Sequence, residues 1–193
     1  MKMPRDADLI AQACDLIASE HVNTARTLLT EKWPFAPYAK ALRKRTRRQL
    51  MAIWIRDGFI DRYGGERLVY PGVLRLLGKL LPKELPYHPN GKLDRCHVAH
   101  WMLYPSHDHV VPVARGGSDD DDENIVTTSM LRNQIKAQWT LDEIGWKLLP
   151  PGDVSEWDGL SGWYTRYIDS HPEIARADRS LRDWYTVAIT FER

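Results

Sequence analysis

The chain has 193 residues and a mass of 22.4 kDa, and 43% of them are hydrophobic, so it is one ordinary domain able to bury a core and not a globally disordered chain. No run approaches the roughly 18 apolar residues of a membrane span, Met1 to Ile10 lacks a signal-peptide core, and two cysteines, Cys14 and Cys96, exclude a disulfide framework and a four-cysteine zinc site. The net charge of +1 hides an asymmetry: residues 1–118 hold 19 Lys/Arg against 11 Asp/Glu, a net of +8, and residues 119–193 hold 8 against 15, a net of −7.

In chain order, Leu9, Ile10, Ala13, Leu16 and Ile17 recur at helical spacing and predict an amphipathic helix over 6–20. Residues 33–37, Trp-Pro-Phe-Ala-Pro, break it. A second helix is expected from Tyr38 to Asp57, with Leu42, Leu50, Ile53 and Trp54 inward and Gly58 as its stop. On it, Lys40, Arg43, Lys44, Arg45, Arg47 and Arg48 put six cations in nine residues. Such a block can track a phosphate backbone and release its counterions, or it can be a solvated helix face. Gly64-Gly65 predicts a turn between two short strand-like pieces over 59–69. Pro71 suits the first turn of a helix through Leu80. Residues 86–96 read as irregular.

β-branched residues predict strands over 107–113 and 124–128, joined by a Gly- and Asp-rich loop. A helix should follow over 130–138. Thr140 to Glu143 has a capping-box pattern for a short helix that ends at Gly145. Terminal helices are expected over 159–169 and 173–188. The tryptophans mostly mark core packing.

The stretch with chemical content is His107-Asp108-His109-Val110-Val111-Pro112, Arg115-Gly116-Gly117, Glu123-Asn124-Ile125-Val126 and Asn133-Gln134-Ile135-Lys136. A hard divalent cation needs oxygen ligands and open positions, and a base must sit beside it to activate water. Successive strand side chains point to opposite faces, so Asp108 and His109 approach one phosphate from different directions. Asn133 on the following helix offers a second oxygen. Gly116-Gly117 allows a tight turn, and Asn124 can tie the loop to the backbone. His107 reads as a strand residue on the far face. Cys96, His97 and His100 have ligand types at close spacing, with packing as the plainer reading. Asp119 to Asp122 reads as a solvated loop.

This segment resembles the HNH endonucleases of the ββα-metal fold, whose pattern is Asp-His-hydrophobic-hydrophobic-Pro, a Gly-Gly loop, Asn-Leu/Ile-Val, then Asn-x-x-Lys. The match runs over residues 107–136, with softer likeness in 56–65 and 139–163. The resemblance implies an α+β fold with a ββα-metal core embedded in a mostly helical single domain. Its divisions would be a basic helical region over 1–57, a nuclease core over 58–150 and packed C-terminal helices over 151–193. It makes His109 the general base, Asp108 and Asn133 the ligands of one Mg²⁺ or Mn²⁺ ion, Asn124 the structural loop residue and Lys136 a phosphate contact. The activity implied is hydrolysis of DNA phosphodiester bonds in restriction or mobile-element processing. The partner expected is double-stranded DNA, and the alternative is a non-catalytic DNA-binding or assembly module. A homodimer or sequential nicks would be needed to cut both strands, and the location expected is cytoplasmic.

The chain departs from the subgroup it resembles at two Cys-x-x-Cys knuckles. Their four thiolate positions read Asp61, Gly64, Ser129 and Arg132. Those side chains cannot supply zinc's thiolate or imidazole ligands, so no structural zinc is expected, with an Asp61–Arg132 ion pair in its stead.

Overall fold

A computed structural model describes residues 6–35, 45–92 and 94–191. The chain divides into two compact units, residues 1–39 and 40–193. It has an α+β make-up, rich in helix with one small antiparallel sheet. Among the described residues no helix is long and apolar enough to cross a membrane.

The first unit contains helices α1 (Asp6–Ala18) and α2 (Val22–Lys32), which pack together and bury Leu9, Ala13 and Ala25. The apolar periodicity anticipated α1. Helix α2 lacks both a side-chain N-cap and a strong apolar stripe, so it left no such mark.

The second unit begins differently from the expected continuous helix over 38–57. Helix α3 spans Arg47–Arg56, and Thr46 before it is extended. The Thr46 hydroxyl accepts from Gln49 N while the Gln49 side chain takes the Thr46 N–H. This capping box starts a helix at Arg47 and rules out one running through Arg45 and Thr46. Residues 36–44, with Lys40, Arg43 and Lys44, lie outside the described residues. Helix α4 (Pro71–Leu80) starts on its N1 proline as read. The turn at Gly64-Gly65 joins only a single bridge, Ile60 to Arg67.

A short helix α5 (Ala99–Met102) leads into β1 (Pro105–His109), which pairs with β2 (Ile125–Ser129), and α6 (Met130–Lys136) follows directly. The first strand therefore stops four residues short of Val113. Asn124 takes both the N–H and C=O of Val111, and Pro112 has no N–H to continue the ladder. Helix α6 ends at Lys136 rather than Gln138 because Ala137 turns to φ +47°.

Helix α7 (Leu141–Ile144) carries the expected capping box and Gly145 stop. Helix α8 (Ser161–Ser170) follows. The single helix expected over 173–188 is two, α9 (Pro172–Ala177) and α10 (Arg179–Ile189). The Asp178 carboxylate accepts from Ser180 N and Leu181 N, so it caps a new helix inside a continuous apolar pattern.

Helices α3, α4, α8 and α10 enclose an aromatic core of Trp54, Phe59, Tyr70, Tyr164, Leu181 and Trp184. The buried Tyr70 and Tyr164 hydroxyls donate to α10 carbonyls, Trp184 O at 2.6 Å and Leu181 O at 2.7 Å, whereas the buried Trp54 indole N–H has no hydrogen-bond partner among the described residues. The outer edge of β2 is closed by the segment after α3. Thr127 N donates to Asp57 Oδ2 at 2.7 Å, Arg62 N donates to Thr127 O at 2.9 Å, and Ser129 N donates to Asp61 Oδ2 at 2.9 Å. An edge strand that would otherwise expose unpaired donors is thereby finished with carboxylates.

Candidate functional site: the hairpin and its following helix

Strand alternation sorts the candidate residues. Ser106 and Asp108 face α6, whereas His107 and His109 share the other face with ring centroids 6.5 Å apart. In the register, Asp108 opposes Val126 and His109 opposes Ile125, so both lie at the loop end of the hairpin.

Asn133 reaches back from α6 to β1. Its Nδ2 donates to Ser106 Oγ at 2.8 Å and to the His107 carbonyl at 2.9 Å. Both donors are used, which turns Oδ1 into the remaining acceptor. Asp108 is buried. Its Oδ2 accepts from the Tyr63 hydroxyl at 2.7 Å and lies 2.8 Å from Lys136 Nζ. Burial first, and the Asp108 charge second, push the Tyr63 hydroxyl far above its ordinary value, so it stays a donor.

The structure places Lys136 differently from a phosphate contact. Its side chain is fully buried, with Nζ between Asp108 Oδ2 and the His109 carbonyl, 2.7 Å away. A buried ammonium is stable only when paired, so this lysine belongs to the carboxylate it neutralises.

Asn124 makes three loop bonds. Oδ1 accepts from Val111 N at 2.8 Å, and Nδ2 donates to Val111 O at 3.0 Å and Ser118 O at 2.9 Å. Gly117 leaves no room for a Cβ against the Val111 carbonyl and the Asn124 amide, which is the physical demand behind a glycine there.

The acidic loop is pinned rather than free in solvent. Asp119 Oδ1 lies 3.1 Å from His109 Nε2, within ion-pair distance but without hydrogen-bond alignment. The Asp119 carbonyl accepts from Arg45 Nη2 at 2.9 Å, and Asp122 lies 3.8 Å from the same guanidinium. Arg56 donates to the Asp122 carbonyl at 2.8 Å. Of the other described cations in the basic block, Arg47 pairs with Asp183 at 2.7 Å and Arg48 is exposed. His107 is pushed down by burial and then by the Arg45 charge, which keeps it neutral.

Tyr63 and Asp119 are the functional candidates that sequence reasoning missed. Tyr63 reaches Asp108 across 45 positions of chain, and Asp119 is one of four consecutive aspartates. No local spacing marks either one.

The donor set suits a hard cation. Among the described residues Asp108 Oδ1 and Asn133 Oδ1 have no hydrogen-bond partner, and two protein oxygens would leave positions for water and phosphate. Among the described residues no group of three or more His, Cys, Asp and Glu side chains gathers around a metal-sized space. Cys96 is buried, and His97 Nδ1 accepts from Ala99 N at 3.1 Å.

Residues 61, 64, 129 and 132 meet in one cluster. Asp61 accepts from Gly64 N at 3.3 Å and Ser129 N at 2.9 Å, and Ser129 Oγ accepts from Arg132 N at 3.2 Å. Arg132 Nε lies 3.3 Å from Asp61 Oδ2, and Arg132 also pairs with Glu66. Comparison with protein-family models, curated proteins and solved structures finds no match to this chain.

Proposed function

We propose that the chain is a Mg²⁺- or Mn²⁺-dependent DNA endonuclease of the HNH type, hydrolysing phosphodiester bonds at the loop end of the β1–β2 hairpin. The observation that carries this reading is the pair of hydrogen bonds from Asn133 Nδ2 to β1, which brings a second oxygen ligand to the strand that bears Asp108 and His109. The meeting of residues 61, 64, 129 and 132 supports it, because only the resemblance had linked those positions beforehand.

Asp108 and Asn133 would hold the metal, which when bound supplies charge stabilisation to the scissile phosphate and the leaving oxygen. The chain's own residues do the rest. Tyr63 and Lys136 fix the Asp108 carboxylate from one side. His109 would take a proton from the attacking water at Nδ1, while Asp119 Oδ1 stands 3.1 Å from Nε2. Asn124 holds the loop that carries Asp119. Exposed Arg48 is available for sequence-independent phosphate contact.

Asp119→Ala keeps the Arg45 bond to the residue-119 carbonyl and removes only the carboxylate. We expect kcat to fall about 10- to 100-fold with little change in KM, and the ¹⁵N resonances of the His109 ring to move toward a mixture of tautomers. Unchanged ring resonances and kcat would mean that Asp119 does not orient the base.

One observation favours a second reading. The Lys136 ammonium on Asp108 is an arrangement that a non-catalytic DNA-binding or assembly module could keep. Supercoiled plasmid with Mg²⁺ or Mn²⁺, against the same mixture with EDTA, separates the two. Nicking with metal and none with EDTA is expected. DNA retention without nicking under either metal would establish the module instead.

A further inference from the structure

Helix α1 carries three stripes whose members recur in steps of three and four. Leu9, Ala13 and Leu16 form the stripe covered in the packing of α1 on α2, the first two buried and Leu16 half-buried. Asp8, Gln12 and Asp15 form an exposed polar stripe. Ala7, Ile10, Cys14 and Ile17 form a third, which is apolar and also exposed, with Ile10 at 43% and Ile17 at 52%.

A helix with one neighbour needs one apolar stripe and turns the rest to water. Helix α1 has two, and their offset of one residue sets them about 100° apart. That is close to the angle between the two neighbours of a helix in a four-helix bundle. The first unit is also small. Its helices of 13 and 11 residues fully bury only Leu9, Ala13 and Ala25 among the described residues. Helices of that length are marginal in water without packing, so a stripe with two isoleucines left in solvent points to a further neighbour.

The stripe is built to meet itself. Small and large side chains alternate along it, as Ala7, Ile10, Cys14 and Ile17. In an antiparallel pair Ile10 of one copy meets Cys14 of the other, and Ala7 meets Ile17. Every layer then joins one large and one small side chain, which fills the seam evenly. A parallel pair would set alanine on alanine and leave gaps between the isoleucine layers. The axis of the antiparallel pairing falls at the level of Gln12, the midpoint of Asp6–Ala18, so the two helices overlap over their whole length. Positions 11, 13 and 18 beside the stripe are alanine, which lets the backbones approach. Antiparallel helices also set opposite dipole ends together. Identical patches paired about a two-fold axis close at two copies.

We propose that α1 is a dimerisation helix, its Ala7-Ile10-Cys14-Ile17 stripe packing antiparallel on the same stripe of a second copy of the chain. The seam is about 20 Å long, so the dimer is a reversible one that concentration titrates. Two copies are what cutting both strands of DNA needs, but the proposal stands on the stripe and not on the nuclease reading.

The first test is sedimentation equilibrium of the full chain under reducing conditions. Over about a hundredfold range of concentration the mass should rise from 22.4 kDa toward twice that value. Ile10→Glu with Ile17→Glu should hold the mass at one chain throughout. Both positions are exposed and glutamate is a good helix former, so the circular dichroism of this variant should match that of the wild type. The second test reads the pairing. Antiparallel packing sets the two Cys14 residues roughly 6 Å apart along the axis in addition to the separation of the helices, beyond the ~7 Å reach of a disulfide. Cys96 is buried. Under mild oxidation a mixture of wild type with Ile10→Cys/Cys14→Ser should therefore give covalent dimers, and either chain alone should give few. The proposal is overturned by a wild-type mass that stays at one chain, by a double variant that associates as the wild type does, or by chains that cross-link as well alone as in the mixture. His109→Ala must associate like the wild type, so loss of cleavage and loss of the dimer read out separately.

Discussion

His109→Ala is expected to lower the rate of plasmid nicking by about 10²- to 10⁴-fold, the usual contribution of a positioned general base. Its DNA affinity and melting temperature should stay near those of the wild type. The choice of this residue follows from the structure. Asp108→Ala would also stop cleavage, but it would leave the fully buried Lys136 ammonium without its carboxylate and Tyr63 without its acceptor. Removing one partner of a buried ion pair costs about 3–5 kcal/mol, so an inactive Asp108 variant confounds chemistry with unfolding. His109 stands on the opposite face of β1, and its side chain makes no hydrogen bond among the described residues. Its truncation therefore removes only the contact with the Asp119 carboxylate, which is partly exposed to water. A variant that nicks at the wild-type rate with Mg²⁺ or Mn²⁺ would remove His109 from the mechanism and with it the HNH reading.

What was legible in the sequence was what local signals encode. Pro71 and the Thr140-to-Glu143 capping box gave helices α4 and α7 their starts, because each acts within one turn. Asp108, His109, Asn124 and Asn133 were legible as a group because strand, loop and helix follow one another within 29 positions. The errors share a cause. At Thr46 and at Asp178 a capping side chain interrupts an apolar stripe that continues across it, and the cap overrides the periodicity. β-branched Val110 and Val111 suggest strand, but the Asn124 side chain takes both backbone groups of Val111 that a ladder would need. The illegible part is non-local. Tyr63 on Asp108, Arg45 on the Asp119 carbonyl and Lys136 turned inward depend on packing that no window of sequence contains.

Asp61→Ala should lower stability about as much as loss of the buried Asp108 carboxylate would, without touching the Asp108 and Asn133 oxygens. The carboxylate is 1% exposed. Oδ1 accepts from Tyr63 N at 3.0 Å, Gly64 N at 3.3 Å and Thr128 Oγ1 at 3.0 Å, and Oδ2 accepts from Ser129 N and pairs with Arg132. One side chain thus closes the edge of β2, shapes the turn that presents Tyr63 to Asp108, and holds Ser129, the N-cap of α6. A metal knuckle would tie the same three segments through thiolates, and here an acidic side chain does so through hydrogen bonds. Gly64 is part of the arrangement, since a Cβ there would collide with the Arg132 guanidinium. Loss of the carboxylate leaves several buried N–H groups unpaired and should cost about 3–5 kcal/mol. For a chain of this size that lowers the melting temperature by on the order of 10 °C. Asp61→Asn retains one acceptor oxygen and should recover part of the loss. Because hydrogen bonds replace thiolates in this cluster, EDTA should leave the wild-type melting temperature unchanged. A large fall on chelation, with stoichiometric zinc in the purified protein, would mean that a metal and not Asp61 holds these segments together.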